Sequence, residues 1–453
     1  MNAKNKYAYW LHAGVYSGLQ KLSVLLFGIL STVILTRSID KYEMGVWSLF
    51  LTIAGLTEVV RHGLIKNAVI KFLNSQPAAE HKDILSAALF LNILITSFIA
   101  IVLALLAPLL SRVLQAPELS YVLYVFLFGL IALIPFSHFE WVQNAHSDFK
   151  GIFYAYLIRQ LVSLGLIVIF ILFDYISLYY LVLFYSAGIM AGAAVSYRFA
   201  RKHLTRQFSI TQQWLLRLWH FGKYVFGTNI SSAAFRSTDQ FVVSHFLNPA
   251  TVALQSISLR ITNLTDIPSQ VLGDILFPKS AQTVTEGHNE RIKYLYEKSV
   301  GAVLAFVLPA TLFILLFPTL ILTIVAGNKY DEAAPYLRIV ILAGLFMPFL
   351  KQFGTIMDST GKPKGNFLVL LFMAVVQLIN CYLLVQTNFL IGAGIALLVT
   401  HMVGFIITQR LLRQYYNINF INCFKYAFDF YPEMWQMLNS RILSKWQKVV
   451  SSE

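Results

Sequence analysis

Apolar residues fill this chain in long blocks, and polar residues appear mostly as short breaks between them. Val15–Thr36, Ile84–Leu110 and Val300–Val325 are long enough as helices to cross a hydrocarbon core of roughly 30 Å. The period-two alternation of a barrel strand is missing from these blocks, so the pattern predicts an all-α polytopic membrane protein. Twelve spans are predicted, at 13–36, 44–65, 84–111, 119–143, 152–173, 176–197, 221–246, 251–277, 299–326, 333–358, 366–386 and 389–409. The polar, basic start MNAKNKYAYW resembles the head of a signal peptide. The apolar segment behind it is too long and lacks a small-x-small cleavage site, so it reads as the first permanent span.

The breaks set the organisation. Loops on one side are short, as in SIDKYE (38–43), DYI (174–176) and NPA (248–250), which leaves no domain there to carry chemistry. RFARKHLTRQFSITQQWLLRLWHFGK (198–223) is the longest internal connection, and its basic and aromatic residues predict an interfacial helix. The expected layout is a six-helix lobe over 1–197, a cytoplasmic interfacial linker over 198–220, a second six-helix lobe over 221–413 and a cytoplasmic amphipathic tail over 414–453. In that tail Trp435, Leu438, Ile442 and Trp446 fall at helical spacing beside Lys445 and Lys448, which predicts a helix on the membrane surface. The lobes read as parallel repeats. LFLTIAGLTEV (49–59) aligns without a gap on ISLRITNLTDI (257–267), superposing Glu58 on Asp266, and at nearly the same offset KGIF (150–153) falls on KGNF (364–367). Two like-oriented halves suit a transporter that rocks about a central site.

Composition agrees with a membrane protein: 57% of the 453 residues are hydrophobic and 12% are charged, where soluble domains carry roughly 25%. The net charge of +14 would suggest nucleic acid in a soluble protein, but its distribution argues against that partner. With the N-terminus inside, most Lys and Arg fall in cytoplasmic segments, whereas the opposite side holds Arg37, Lys41, Arg112 and Lys329. That is the positive-inside asymmetry, with both termini cytoplasmic. Cys381 and Cys423 supply neither a disulfide framework nor a metal site, and no His/Cys cluster has metal-ligand spacing.

Several segments carry a resemblance. RSIDKYEMGVWSL (37–49) resembles the first loop of Wzx-type polysaccharide flippases, with an Arg ending span one and a Gly-aromatic opening of span two. STDQFVVSHFLNPATVALQSISLRITNL (237–264) is similar to that family's span-seven Asp and following turn. AGNKYDEAAPYLRIVILAG (326–344) and MDSTGKPKGNF (357–367) are similar to its span-nine exit and span-ten ending. The superfamily implied is that of multidrug, oligosaccharidyl-lipid and polysaccharide (MOP) exporters, with two six-helix lobes. The resemblance implies flipping of a polyprenyl-pyrophosphate-linked oligosaccharide from the inner to the outer leaflet of a bacterial cytoplasmic membrane, for surface polysaccharide or lipopolysaccharide biosynthesis. Membrane lipids, a polysaccharide polymerase and glycosyltransferases are the implied partners of a monomer. Ala253-Leu254-Gln255 departs from the family pattern, where a Gly-x-Tyr type sequence is expected.

The cations inside spans are the candidates for function: Lys21, Arg61, Arg159, Arg236, Arg260, Arg338 and Lys351. On span seven Thr228, Ser232, Arg236 and Asp239 form one stripe at i, i+4, i+8 and i+11. A charge at the bilayer centre costs about 2.5–3.5 kcal/mol, so it pairs or faces water. Either Arg236 and Asp239 form a neutral couple, or Arg236 faces a cavity with Asp239 positioning it. On span eight Ser256, Arg260, Asn263, Gln270 and Asp274 lie broadly on one face beside Asp266. Arg236 and Arg260 are expected as an anion-binding pair, because guanidinium groups grip phosphate oxygens while staying charged. Lys21, Arg61 and Arg159 either join that cavity or snorkel to the headgroups. A cavity role is favoured for Lys351 and snorkelling for Arg338. Glu58, Glu140, Asp239, Asp266 and Asp274 are counter-ions or proton- or sodium-coupling groups, the former being favoured. Pro268, Pro135 and Pro348 are candidate hinges or static bends.

No cofactor is expected, and no enzyme motif is present. A phosphate-cradling Gly-rich loop with Lys-Ser/Thr is missing, so ATP is not the expected energy source. A membrane glycosyltransferase or polysaccharide polymerase would need longer outer loops. A multidrug exporter of the same superfamily is the closer alternative, and there an acid-rich cavity for cations is expected instead of the basic excess seen here.

Overall fold

The computed structural model describes residues 3–204, 208–285 and 289–432, and no strand occurs among them. The first six spans are single helices: α1 (Ala3–Ser38), α2 (Lys41–Ser75), α3 (His81–Val113), α4 (Leu119–Ala145), α5 (Phe149–Leu172) and α6 (Leu178–Ala200). α7 (Gln212–Phe246) starts inside the expected interfacial linker. Beyond it the spans are built from pieces. α8 (Pro249–Thr265) and α9 (Ile267–Thr285) make the eighth, and α10 (Asn289–Leu316) and α11 (Pro318–Ala326) the ninth. α12 (Ala334–Gly344) and α13 (Met347–Ser359) make the tenth. Among the described residues 10 helical stretches are long and apolar enough to cross a bilayer. Spans seven and eight fall outside that set, and they are where Arg236, Asp239, Arg260 and Asp266 sit. α3 shows what the apolar ones face: Leu94, Phe98, Ile101, Leu105 and Leu109 form a continuous exposed stripe, which water would not tolerate and lipid does.

α14 (Pro363–Tyr416) covers spans eleven and twelve. Its 54 residues would reach about 80 Å if straight. Phe389 instead takes a φ of 53°, and a Cβ on Gly392 would overlap the carbonyl of Leu384. In a straight helix those positions lie about 12 Å apart. The chain therefore reverses at Phe389, and the two arms pack side by side with glycine at the closest approach.

Local chemistry explains several helix ends. Asp40 caps α2: its Oδ1 accepts from Glu43 N at 2.7 Å, and Glu43 Oε2 accepts from Asp40 N at 3.4 Å. This is the reciprocal capping box that Asp-x-x-Glu encodes. α4 and α13 end in the same six-to-one cap. Asp148 N donates to Gln143 O at 2.8 Å with Ser147 at φ 57°, and Lys362 N donates to Met357 O at 2.8 Å with Gly361 at φ 77°. These caps immediately precede KGIF and KGNF, so the two repeated segments share backbone geometry as well as letters.

The chain divides into two compact units, Met1–Ser256 with Val325–Gly327, and Ile257–Ile324 with Asn328–Glu453. In the first, α4 and α5 pack on α6, and α2 packs on α7. Gly222 permits the latter, since a Cβ there would overlap Leu64 O. Leu64, Ala68, Leu91, Trp141, Trp214 and Leu218 are part of the core at that junction. In the second unit α13 packs on α9 and α14, and α12 on α14.

Residues 420–432 are helical and do not lie across the helix ends, as the surface-tail expectation would have it. Asn419 N and Asn422 Nδ2 donate to the Glu297 carboxylate at 2.8 and 3.0 Å, Gly301 abuts Cys423 and Tyr426, and Tyr431 OH donates to Ala305 O at 2.6 Å. The contacts climb α10 as the tail advances, so the segment runs alongside it. Its small face, Cys423 and Ala427, is buried against α10. Trp435, Leu438, Ile442, Lys445, Trp446 and Lys448 lie outside the described residues.

Candidate functional site

In the first unit α2 presents Glu58, Arg61, His62 and Lys66 at i, i+3, i+4 and i+8, one helical face. Arg159 of α5 donates to Glu58 Oε1 at 2.9 Å and to Tyr185 OH at 2.8 Å. Its guanidinium also lies over the rings of Phe136 and Tyr185, at 5.1 and 5.2 Å. Lys66 pairs with Glu140 at 2.7 Å, and Tyr156 OH donates to the other oxygen of that carboxylate at 3.1 Å. Trp141 Nε1 donates to His62 Nδ1 at 3.3 Å.

Arg61 does not snorkel. It is 0% exposed and donates to Thr96 Oγ1 (2.8 Å), Asn92 Oδ1 (2.8 Å) and Leu133 O (2.9 Å). Its Nη1 is buried without a hydrogen-bond partner among the described residues. The acceptors are neutral, and one is a carbonyl just ahead of Pro135, where Asn92 Nδ2 also reaches Ile134 O at 3.0 Å. Pro135 lies inside a continuous α4, so helix geometry is kept while polar side chains gather at the proline.

Arg236 and Asp239 part company. Arg236 is exposed and Asp239 is 3% exposed, and Arg236 forms no ion pair among the described residues. At 1.5 Å per residue Arg236 lies about 15 Å from the end of α7, close to half a hydrocarbon thickness. Ser232 is half-buried, and the Thr228 side chain lies outside the described residues. A polar chain runs nearby, of which only Ser256 is among the sequence-derived candidates: Thr52 Oγ1 donates to Gln240 Oε1, and Gln240 Nε2 to Ser256 Oγ at 3.1 Å. Gln255 is 0% exposed, and both its amide atoms lack hydrogen-bond partners among the described residues. Lys21 is exposed on α1.

In the second unit Lys351 of α13 pairs with Asp266, the acid that the repeat places opposite Glu58. Gln352 Nε2 donates to Ser269 O at 2.9 Å. Asp266 occupies the break between α8 and α9, and Pro268 follows it in the first turn of α9. Without an N–H, Pro268 leaves the Leu264 carbonyl no intrahelical donor. Pro348 stands in the same way at the start of α13, behind the break after α12. Arg260 is half-buried, Asn263 and Gln270 are exposed, and the Asp274 side chain lies outside the described residues. Arg338 is exposed near the start of α12. Arg236 and Arg260 belong to different units.

The polar partners Tyr185, Tyr156, Asn92 and Thr96 escaped sequence reasoning because single hydroxyls and amides are common in spans. The pairing of Glu58 with Arg159 joins residues of α2 and α5 that only the fold brings together.

The polysaccharide biosynthesis protein family matches residues 34–335. The chain is 23% identical over 205 residues to the probable low-salt glycan biosynthesis flippase Agl15 of Haloferax volcanii, covering 45% of this chain and 43% of that protein. Among solved structures it is similar to the lipid II flippase MurJ in an inward closed conformation: TM-score 0.75 and 14% identity, over 91% of this chain and 90% of that one. It is similar also to an inward-facing multidrug resistance MATE family transporter of the MOP superfamily: TM-score 0.74 and 16% identity, over 89% of this chain and 97% of that one. This chain is a member of the polysaccharide biosynthesis protein family, folded as the MOP-superfamily transporters are.

Proposed function

We propose that the protein flips a polyprenyl-pyrophosphate-linked oligosaccharide from the inner to the outer leaflet of a bacterial cytoplasmic membrane by alternating access, without being an enzyme. The observation that carries this reading is Arg236, an exposed residue without an ion-pair partner among the described residues, about half a hydrocarbon thickness from the end of α7. A cation so placed is stable only against water or an anion, and a pyrophosphate supplies that anion. In the second unit, taken by itself, exposed Asn263 and Gln270 on the broken eighth span are groups of the kind that hydrogen-bond a hydrated sugar. In the first unit an apolar cavity of about 830 Å³ between α2, α3 and α7, lined by Leu56, Val60, Phe98 and Trp219 among others, has the character a polyprenyl tail requires. The Agl15 relative, a probable glycan flippase by name, supports the same substrate class. Paired as they are with Arg159 and Lys66, Glu58 and Glu140 act in this scheme as counter-ions. Proton or sodium coupling would fall to acids that open to water during the cycle.

The test is translocation of a polyprenyl-pyrophosphate oligosaccharide in proteoliposomes, comparing wild type with Arg236→Ala, Arg260→Ala and, as a control near the end of a span, Arg338→Ala. Wild type and Arg338→Ala are expected to move the lipid, while the other two lose about tenfold or more of the rate, since each removes a charge-assisted phosphate contact. Transport of an organic cation with no movement of the glycolipid would instead favour the multidrug reading.

A further inference from the structure

A second concentration of cations lies away from the in-span charges, in the second unit. A cavity of about 700 Å³ opens between the end of α14, the start of α10 and the 420–432 helix, and Lys293, Arg410 and Arg413 line it. Arg410 and Arg413 share one face of α14 with Ile406, Gln409 and Asn417, at i, i+3, i+4, i+7 and i+11. None of the three cations has an ion-pair partner among the described residues. The neighbouring acid of α10, Glu297, is buried, and both its oxygens are engaged by Asn419 and Asn422. The cavity therefore keeps a net positive charge.

Depth and surroundings say where a ligand would come from. Arg410 lies about 31 Å along the helix from the reversal at Phe389, one hydrocarbon thickness, so the cavity sits at headgroup level. Exposed Asn417 and Asn419 line it with the cations, and beside them lie the exposed apolar side chains Ile406, Ile421, Phe424 and Phe428. Ile421, Phe424, Phe428 and Tyr431, at i, i+3, i+7 and i+10, form a stripe that starts at the cavity and follows α10 into the span.

We infer that this cavity binds the phosphate headgroup of an anionic bilayer lipid. The forks of Arg410 and Arg413 hold the phosphate oxygens, Lys293 adds a point charge, and an acyl chain lies along the Ile421–Tyr431 stripe. A soluble phosphate would meet the same cations but leave the stripe unused. The inference stands on the cavity alone and does not depend on what the protein transports.

Native mass spectrometry of the full chain in mild detergent, offered phosphatidylglycerol or phosphatidylcholine, tests it. Wild type is expected to retain phosphatidylglycerol about fivefold or more over phosphatidylcholine. Arg410→Ala/Arg413→Ala should lose that preference, and Arg198→Ala/Arg201→Ala, which removes the same charge from the exposed end of α6, should keep it. Lys293→Ala, a milder change, should lower it in part, and this arm stands if the double variant fails to fold. Equal retention of the two lipids by wild type, or equal losses in both double variants, would overturn the inference. So would loss of the preference on adding about 10 mM inorganic phosphate, which would make free phosphate the ligand.

Discussion

Glu58 and Asp266 occupy matching places in the internal repeat, and each holds an in-span cation, but from different helices: Arg159 on α5 and Lys351 on α13. The acids correspond, whereas their cations stand on helices that do not. Burying a single charge is costly, so each acid stabilises the fold only while paired. Arg159→Leu, which leaves Glu58 with Tyr185 but without its cation, is expected to destabilise the first unit by about 3 kcal/mol or more. Adding Glu58→Gln should restore over half of that in thermal unfolding, because the neutral amide removes the stranded charge. Lack of rescue would mean that Arg159 acts through packing on the Phe136 and Tyr185 rings. At this scale the sequence exposed which residues were unusual, since charges in apolar blocks stand out. It did not expose who pairs with whom. Arg61 and Arg236 look alike in the sequence, yet one is sealed among neutral acceptors and the other exposed.

Elements were legible where the apolar period was long and blurred where the backbone departs from a plain helix. The first six spans were readable as helices, although α1 starts ten residues before its predicted span and α2 ends ten residues after it. The second half was not, because breaks at Asp266, Phe317 and 345–346 interrupt segments whose hydropathy is continuous. Helix ends also hid. Gln115, Ser147 and Asp174 take positive φ after α3, α4 and α5, a position where glycine is the usual signal. Pro268 and Pro348 lie just after two of the breaks, whereas Pro135 sits in an unbroken helix. Pro268→Ala returns a backbone N–H to the Leu264 carbonyl, so α8 and α9 are expected to join, raising the melting temperature while slowing lipid translocation. Unchanged translocation with raised stability would make the break a static bend.

For the molecule as a whole, the basic asymmetry of the loops predicts an orientation that hydropathy alone does not. The native thiols Cys381 and Cys423 are buried, which leaves a quiet background for labelling. In intact cells a membrane-impermeant maleimide is expected to modify Tyr175→Cys, in the exposed loop before α6, and to reach Arg201→Cys, beyond α6, only after lysis. The opposite pattern would invert the protein in the membrane and with it the direction of transport. The polysaccharide biosynthesis family was readable from the order of weak motifs along the chain. The cavity beside α14 was not, because its cations come from α10 and α14, and the tail that closes it looked like a surface helix.

The reversal at Phe389 bears on how the last two spans reach the bilayer. A turn closed at one residue offers no loop to thread across, so both arms must enter the lipid together as a preformed hairpin. A chain cut after Thr387 strands the first arm, with Cys381 and Val385 deprived of the neighbours that bury them. A reporter fused there would read the orientation of a helix without its mate. One fused at Asn417, where α14 is capped by a left-handed residue, would read the assembled pair.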